Sequence, residues 1–366
     1  MLRIRFTAPL RGEANTSVPD KRVLLLQDWY AENDLLNPSF FALLELFPQA
    51  EVGFLKNLER TVPPLLRDRR VQFFASRFTR RAFENIEELI AAEAQIPIAD
   101  FDLIILNTRG YLKHLRREKS PTTRIVAYQH DLLPYLWRAD IEALNAAKTA
   151  ELLRQQEIDL EYSMGVDLTI AANYALRATL AALTRQKVPL AYPLVDSELF
   201  FPDSDAAPEY FLATDATDLP ALVHLFSCVT DKLVVLGEEK PDKLLKELKP
   251  DNIFYTGKIT NAEKAYYLGG ARALILGETR ELDHLGLAAL KAGVPVIAHP
   301  TQGMHEFLHD TDLGHELRSG SAEEILYLVR NYRDRTPDRE TITSGVDWLN
   351  REYFLRRMRK ALDHQT

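Results

Sequence analysis

The sequence predicts an α/β protein made of two doubly wound parallel-sheet domains facing one another across a cleft. Three observations predict it. Short apolar runs of buried-strand type alternate with amphipathic helical stretches in both halves of the chain. A polar, acidic, proline-bearing segment, 201–208 (FPDSDAAP), separates the halves. Two such sheets in tandem leave a cleft between them, and open α/β sheets bind ligands at the carboxyl ends of their strands.

In the first half, 23–26 (VLLL) reads as a strand, 28–38 as a loop and 39–47 as a helix. Ser39 is the expected N-cap, and Phe40, Leu43, Leu44 and Phe47 fall at helical spacing. Further strands are expected at 52–55, 101–106, 124–128, 168–171 and 188–192, with helices over 141–162 and 174–184. In the second half, strands are expected at 210–213, 233–236, 253–255, 273–276 and 294–297. Helices are expected there at 220–226, 242–248, 262–268, 285–292 and 322–331. A basic-faced helix over 346–362 ends the chain. The boundaries read as a first domain over 1–200, a second over 201–345, and a segment 346–366 that packs back on the first.

Composition narrows the function. A net charge of -8 excludes nucleic acid as the main partner. A single cysteine, Cys228, allows no intrachain disulfide and fits a reducing compartment. No apolar run approaches the roughly 18 residues of a membrane span. Charges at Arg3, Arg5, Arg11 and Glu13 interrupt the first twenty residues, which therefore lack a signal-peptide core. A cytoplasmic protein is expected. The basic run Arg351, Arg356, Arg357, Arg359 and Lys360 reads as a solvated helix face, with peripheral contact at the inner face of a membrane left open.

Seven segments, in order, resemble the family-4 glycosyltransferases of bacterial surface-polysaccharide (mannosyltransferase-like) type. The opening 23–55 has a strand, an Asp-Trp, and a helix ending in Leu-Phe-Pro. Tyr128-Gln129-His130, with Tyr135 and Trp137, is similar to the family's Tyr-Cys-His-Thr-Pro segment. The strand-to-Asn stretch 167–174 (DLTIAANY) and the turn 192–196 (YPLVD) resemble the next two signatures. Segments 233–237, 254–257 and 289–298 match three more. The resemblance implies a GT-B fold of two Rossmann-like domains. It also implies transfer of a hexose from a nucleotide sugar, with retention, onto a glycan or lipid-linked acceptor. No metal or other cofactor is expected beyond the donor.

A transferase must stabilise a leaving nucleoside diphosphate and orient donor and acceptor. The resemblance implies His130 as the catalytic residue, at the head of a strand-end loop, with Asp28, Asn33 and Asp131 on the acceptor side. On the donor side it implies Gly237 beside the nucleotide and Lys258 near the base. Glu278, Arg280 and Glu281 would supply remodelled contacts from the loop 277–283. Several family features are replaced. The first loop, 31–37, has no glycine and carries Glu32 and Asp34, which would repel an anion. Asp215 and Asp218 stand where the family places Arg and Lys against the diphosphate. Arg280 and Ala288 stand where it has paired glutamates. Glu306, in a Gly-Gly-x-x-Glu-like loop, reads as an exposed loop residue or cap, and His299, His305 and His309 as solvated loop histidines. Three readings therefore stay open. One is an active transferase. A second is an inactive homologue that binds glycan or scaffolds a partner glycosyltransferase. The third is an unrelated doubly wound enzyme.

Overall fold

The computed structural model describes residues 21–59, 64–74, 86–110, 112, 115, 120–131, 166–203, 207–214, 219–237, 250–277, 282–299, 302–319, 321–332 and 338–363. The first domain holds strands β1 (Val23–Tyr30), β2 (Glu51–Asn57), β3 (Val71–Phe73), β4 (Leu103–Thr108), β5 (Arg124–Gln129) and β6 (Leu168–Ala171). They form one sheet in the order β3-β2-β1-β4-β5-β6. The second domain holds β7 (Tyr210–Thr214), β8 (Lys232–Leu236), β9 (Ile253–Tyr255), β10 (Ala271–Ile275), β11 (Val296–Ala298) and β12 (Gly314–Glu316), in the order β12-β11-β10-β7-β8-β9. Every strand pair is parallel. Each sheet thus has the Rossmann order, whose direction reverses between β1 and β4 and again between β7 and β10.

Both sheets are buried on two faces, which is why their strands read as continuous apolar runs rather than alternating ones. Leu25, Phe54, Ile105 and Val126 face one core of the first domain, and Leu24, Leu26, Ile104 and Ile125 the other. Leu212, Val234 and Leu274 face one core of the second domain, and Phe211, Val235 and Ile275 the other.

The helices are α1 (Asn37–Leu46), α2 (Ile86–Glu93), α3 (Tyr174–Thr184), α4 (Leu219–Ser227), α5 (Asn261–Gly269), α6 (His284–Lys291), α7 (Gln302–Leu308), α8 (Ala322–Arg330), α9 (Arg339–Gly345) and α10 (Arg351–Asp363). Several expectations change, among them the closing helix, which starts at Arg351 and not at 346. β1 runs on to Tyr30, so Asp28 sits in a strand and not in a loop. Helix α1 starts at Asn37, where Pro38 fits the first turn without needing an N–H donor. Ser39 is therefore inside the helix, and its buried Oγ accepts a hydrogen bond from Leu194 N at 2.8 Å. The stretch 188–192 forms only a single bridge, Leu190 to Ala171, because Pro189 and Pro193 interrupt pairing. The helices expected at 141–162 and 242–248 lie outside the described residues.

Helix α10 places Phe354, Leu355, Met358 and Ala361 in the first domain's core, beside α1. Burying Phe354 and Met358 contributes about 1.5–3 kcal/mol each. Arg351 pairs with Glu45 of α1, and Arg357 Nε donates to the carbonyl of Leu190 at 2.9 Å. Two cations of the basic run are thus engaged with the protein. Among the described residues, no helix is long and apolar enough to cross a membrane.

Candidate functional site

The ends of β1, β4 and β5 lie side by side at the reversal point of the first sheet, with Gln27 opposite Asn107 and Asn107 opposite Tyr128. Gln27, Asp28, Asn107, Thr108, Gln129 and His130 are all buried there. Polar groups in such a place must be hydrogen-bonded to be tolerated. They form a chain whose direction is fixed by a backbone carbonyl. Gln27 Nε2 donates to Trp29 O at 2.9 Å, so Gln27 Oε1 is the acceptor for Asn107 Nδ2 at 2.6 Å. Asn107 Oδ1 is then left to accept from His130 Nε2 at 2.8 Å. His130 must carry its proton on Nε2. Its Nδ1 is a lone pair, buried and without a hydrogen-bond partner among the described residues. Burial, followed by the charges of His284 and Arg109, holds the ring well below the ordinary histidine pKa, which keeps it neutral.

A second network lies beside it. Asp28 accepts from Thr108 Oγ1 at 2.7 Å and from Arg109 N at 2.6 Å. Burial pushes its pKa up to about 7, against the pull of those hydrogen bonds and of the Arg109 charge. Asp28 is wholly buried and braces the β4 end through these two hydrogen bonds. The Arg109 guanidinium lies over the Trp29 ring at 4.9 Å and donates to both oxygens of Asp34, at 3.0 and 2.6 Å. Burial alone would raise Asp34; the paired Arg109 holds it below its ordinary value. The acidic loop therefore does not present Asp34 to an anion, contrary to the sequence expectation. Asn33, at the loop tip, reaches the other domain. Its Oδ1 accepts from Asn261 N at 3.1 Å, and its carbonyl accepts from Lys264 Nζ at 3.3 Å.

The second domain contributes His284, the first residue of α6, whose ring centroid lies 5.4 Å from that of His130. Asp283 caps that helix through a 2.8 Å hydrogen bond from Gly286 N. Although partly exposed, His284 is closely surrounded, and burial pushes its pKa down to about 3. Gly237 lies at the end of β8 under the Tyr255 hydroxyl, so close that a Cβ would stand 1.8 Å from Tyr255 Oη. Lys258 is exposed just after Gly257, whose φ of 73° favours glycine. Asp131 follows β5, and its carbonyl accepts from Gln129 Nε2 at 2.8 Å. Glu278, Arg280 and Glu281 lie outside the described residues, as do Asp215 and Asp218.

Glu306 differs from its expected place. It is on α7 and not in a loop, and its carboxylate accepts from Tyr174 N, the start of α3 in the first domain, at 3.2 and 3.3 Å. The Tyr192 hydroxyl donates to it as well. Asn107, Arg109 and His284 were not anticipated from the sequence. The signal for the first two was available: they close or directly follow the strand 103–108, where α/β sites gather.

No protein-family model and no curated protein matches the sequence. Solved structures do match its fold. Sucrose-phosphate synthase from Thermosynechococcus elongatus is similar with a TM-score of 0.71 at 15% identity, over 94% of this chain and 99% of that one. HepE of Anabaena in complex with UDP is similar with a TM-score of 0.69 at 12% identity, over 94% of this chain and 100% of that one. The lipopolysaccharide outer core galactosyltransferase WaaB, in its apo form, is similar with a TM-score of 0.62 at 12% identity, over 94% of this chain and 100% of that one. With two parallel six-stranded sheets of the Rossmann order and these neighbours, the chain has the GT-B fold of glycosyltransferases.

Proposed function

We propose that this protein is a glycosyltransferase of the family-4 type, moving a hexose from a nucleotide sugar to a glycan or lipid-linked acceptor with retention of configuration. The observation that carries the reading is the buried, neutral His130, whose Nδ1, unpaired among the described residues, is held at the sheet's reversal point opposite His284 of the second domain. A neutral imidazole with a single free lone pair is a hydrogen-bond acceptor for a hydroxyl, the group that sugars supply. It is a weak base, so its role is to orient a sugar hydroxyl near the reacting carbon. UDP and UDP-glucose are bound by the similar HepE structures, which supports a uridine nucleotide as the first donor to try. The non-catalytic alternative gains no support: the similar structures are of glycosyltransferases, and the strand-end polar residues are held in two ordered hydrogen-bond networks.

Calorimetric titration with UDP-, GDP-, ADP- and dTDP-sugars, with and without magnesium, tests the proposal. Micromolar binding of one donor, slow hydrolysis of it, and loss of that turnover in His130→Ala with folding intact are the expected results. The proposal is overturned if no donor in the set binds or is hydrolysed.

A further inference from the structure

A second cluster lies on the second domain, independent of the glycosyl-transfer reading. His305 is on α7, and His309 follows one helical turn later, with its N–H bonded to the His305 carbonyl at 2.8 Å. That spacing stacks the two rings on one face, with centroids 4.5 Å apart. Glu316, the last residue of the edge strand β12, reaches both of them. Its Oε1 contacts His305 Nδ1, and its Oε2 lies 3.0 Å from His309 Nδ1. The three ligand atoms lie within 4.8 Å of one another.

We propose that His305, His309 and Glu316 bind one divalent transition-metal ion of the zinc class. Zinc takes imidazole nitrogen and carboxylate oxygen at ~2.0–2.2 Å in tetrahedral geometry, which sets ligand atoms roughly 3.3 Å apart. The observed cluster is close to that spacing, and small side-chain rotations complete it. Two imidazoles with one carboxylate suit zinc, cobalt or nickel, and not magnesium or calcium, which demand oxygen ligands. Glu316 is largely shielded, with 18% side-chain exposure, while His305 and His309 are about half exposed. The site therefore has a path for entry and room for water as the fourth ligand. An exposed carboxylate stands nearby as well: His309 Nε2 is 3.5 Å from Asp310 Oδ2, within ion-pair reach of the imidazole face that would point away from the metal. Such an ion would join α7 to the edge of the second sheet. Because Glu306, next to His305, holds the start of α3, the ion would also stiffen the helix that anchors one domain to the other.

The test uses the full chain after treatment with a chelator. Zinc chloride titrated calorimetrically should bind one per chain at micromolar Kd or tighter and raise Tm, whereas magnesium should do neither. The double variant His305→Ala/His309→Ala should bind zinc at least tenfold more weakly and lose the Tm rise. Glu316→Gln, which keeps both histidines, should weaken binding by a similar factor and guards against a folding defect in the double variant. Cobalt should give the absorption bands of a tetrahedral nitrogen–oxygen site in the wild type alone. Absence of stoichiometric zinc binding, or equal affinity in the wild type and in folded variants, overturns the proposal and leaves the cluster as two histidine–carboxylate hydrogen bonds.

Discussion

Asp28 gives the sharpest physical prediction. Its carboxyl titrates at about 7 in the folded protein against an ordinary 3.8, because burial costs the charged form more than Thr108 and Arg109 return. That gap corresponds to roughly 4 kcal/mol. The sign follows from proton binding. Above 3.8 the unfolded chain gives up its proton while the folded chain keeps it, so stability falls as pH rises from about 4 to about 7 and levels off beyond. Asp28→Asn keeps the shape and removes the titration. Any cost of an altered hydrogen bond in that variant is the same at every pH, and all other ionisable groups are shared. The wild type should therefore lose about 2–3 kcal/mol relative to Asp28→Asn between pH 5 and pH 8. Urea unfolding followed by tryptophan fluorescence, with Trp29 adjacent to the site, reads this difference across the pH series. A wild-type-minus-variant difference that stays flat from pH 5 to pH 8 would refute the raised pKa and the dry environment it implies.

Three further outcomes test the rest of the site. Arg109→Lys should destabilise the first domain by about 1–3 kcal/mol, since lysine cannot make the two-pronged contact to Asp34 or stack on Trp29; an unchanged urea midpoint would mean the pair is solvent-screened. Glu306→Ala should cost about 1–3 kcal/mol by leaving Tyr174 N and the Tyr192 hydroxyl unpaired, and Glu306→Gln clearly less. Equal stability of the two variants would show that the carboxylate does not hold the domains. Gly237→Ala should displace the Tyr255 ring and cost about 1–3 kcal/mol in thermal unfolding, because the new Cβ falls inside Tyr255; retention of wild-type Tm argues against that packing.

The strands were legible because burial on both faces makes them apolar from end to end, so β6 and α3 match the sequence reading residue for residue. What failed was local. β1 runs past its apolar core through Gln27 and Asp28, polar residues beyond the expected strand, the second of them placed by pattern reading in a loop. They stay in the strand because Asn107 and Thr108 on the neighbouring strand complete their hydrogen bonds, a partnership 80 residues apart in sequence. Ser39 looked like a cap, yet Pro38 lets the helix begin two residues earlier. The short elements β3, β12, α7 and α9 carry too few residues for periodicity to show. Of the candidate site residues, the strand-end position of His130 was legible, and it directly follows β5. Arg109 and Asp34 were not, because each charge reads as exposed until its partner is known. The same holds for His305, His309 and Glu316, which only the pairing of β11 with β12 brings into register with α7.

The balance of charge across the cleft constrains how the proposed reaction can run. On the first-domain wall, burial keeps His130 neutral, Arg109 is matched by Asp34, and Asp28 holds its proton up to about pH 7. Taken together, these four described groups are close to electrically neutral and well hydrogen-bonded, which suits hydroxyl recognition more than phosphate binding. A diphosphate carries charge that such a surface cannot compensate. It must therefore be met from the second domain, at the ends of β7 to β11, where Lys258 and the loop bearing Arg280 lie in sequence. On the proposed reading, the first sheet's reversal point would orient the sugar through His130, and the second sheet's reversal point, between β7 and β10, would receive the nucleotide. His284 is where the two meet, because α6 begins at that second strand end and presents its first residue to His130.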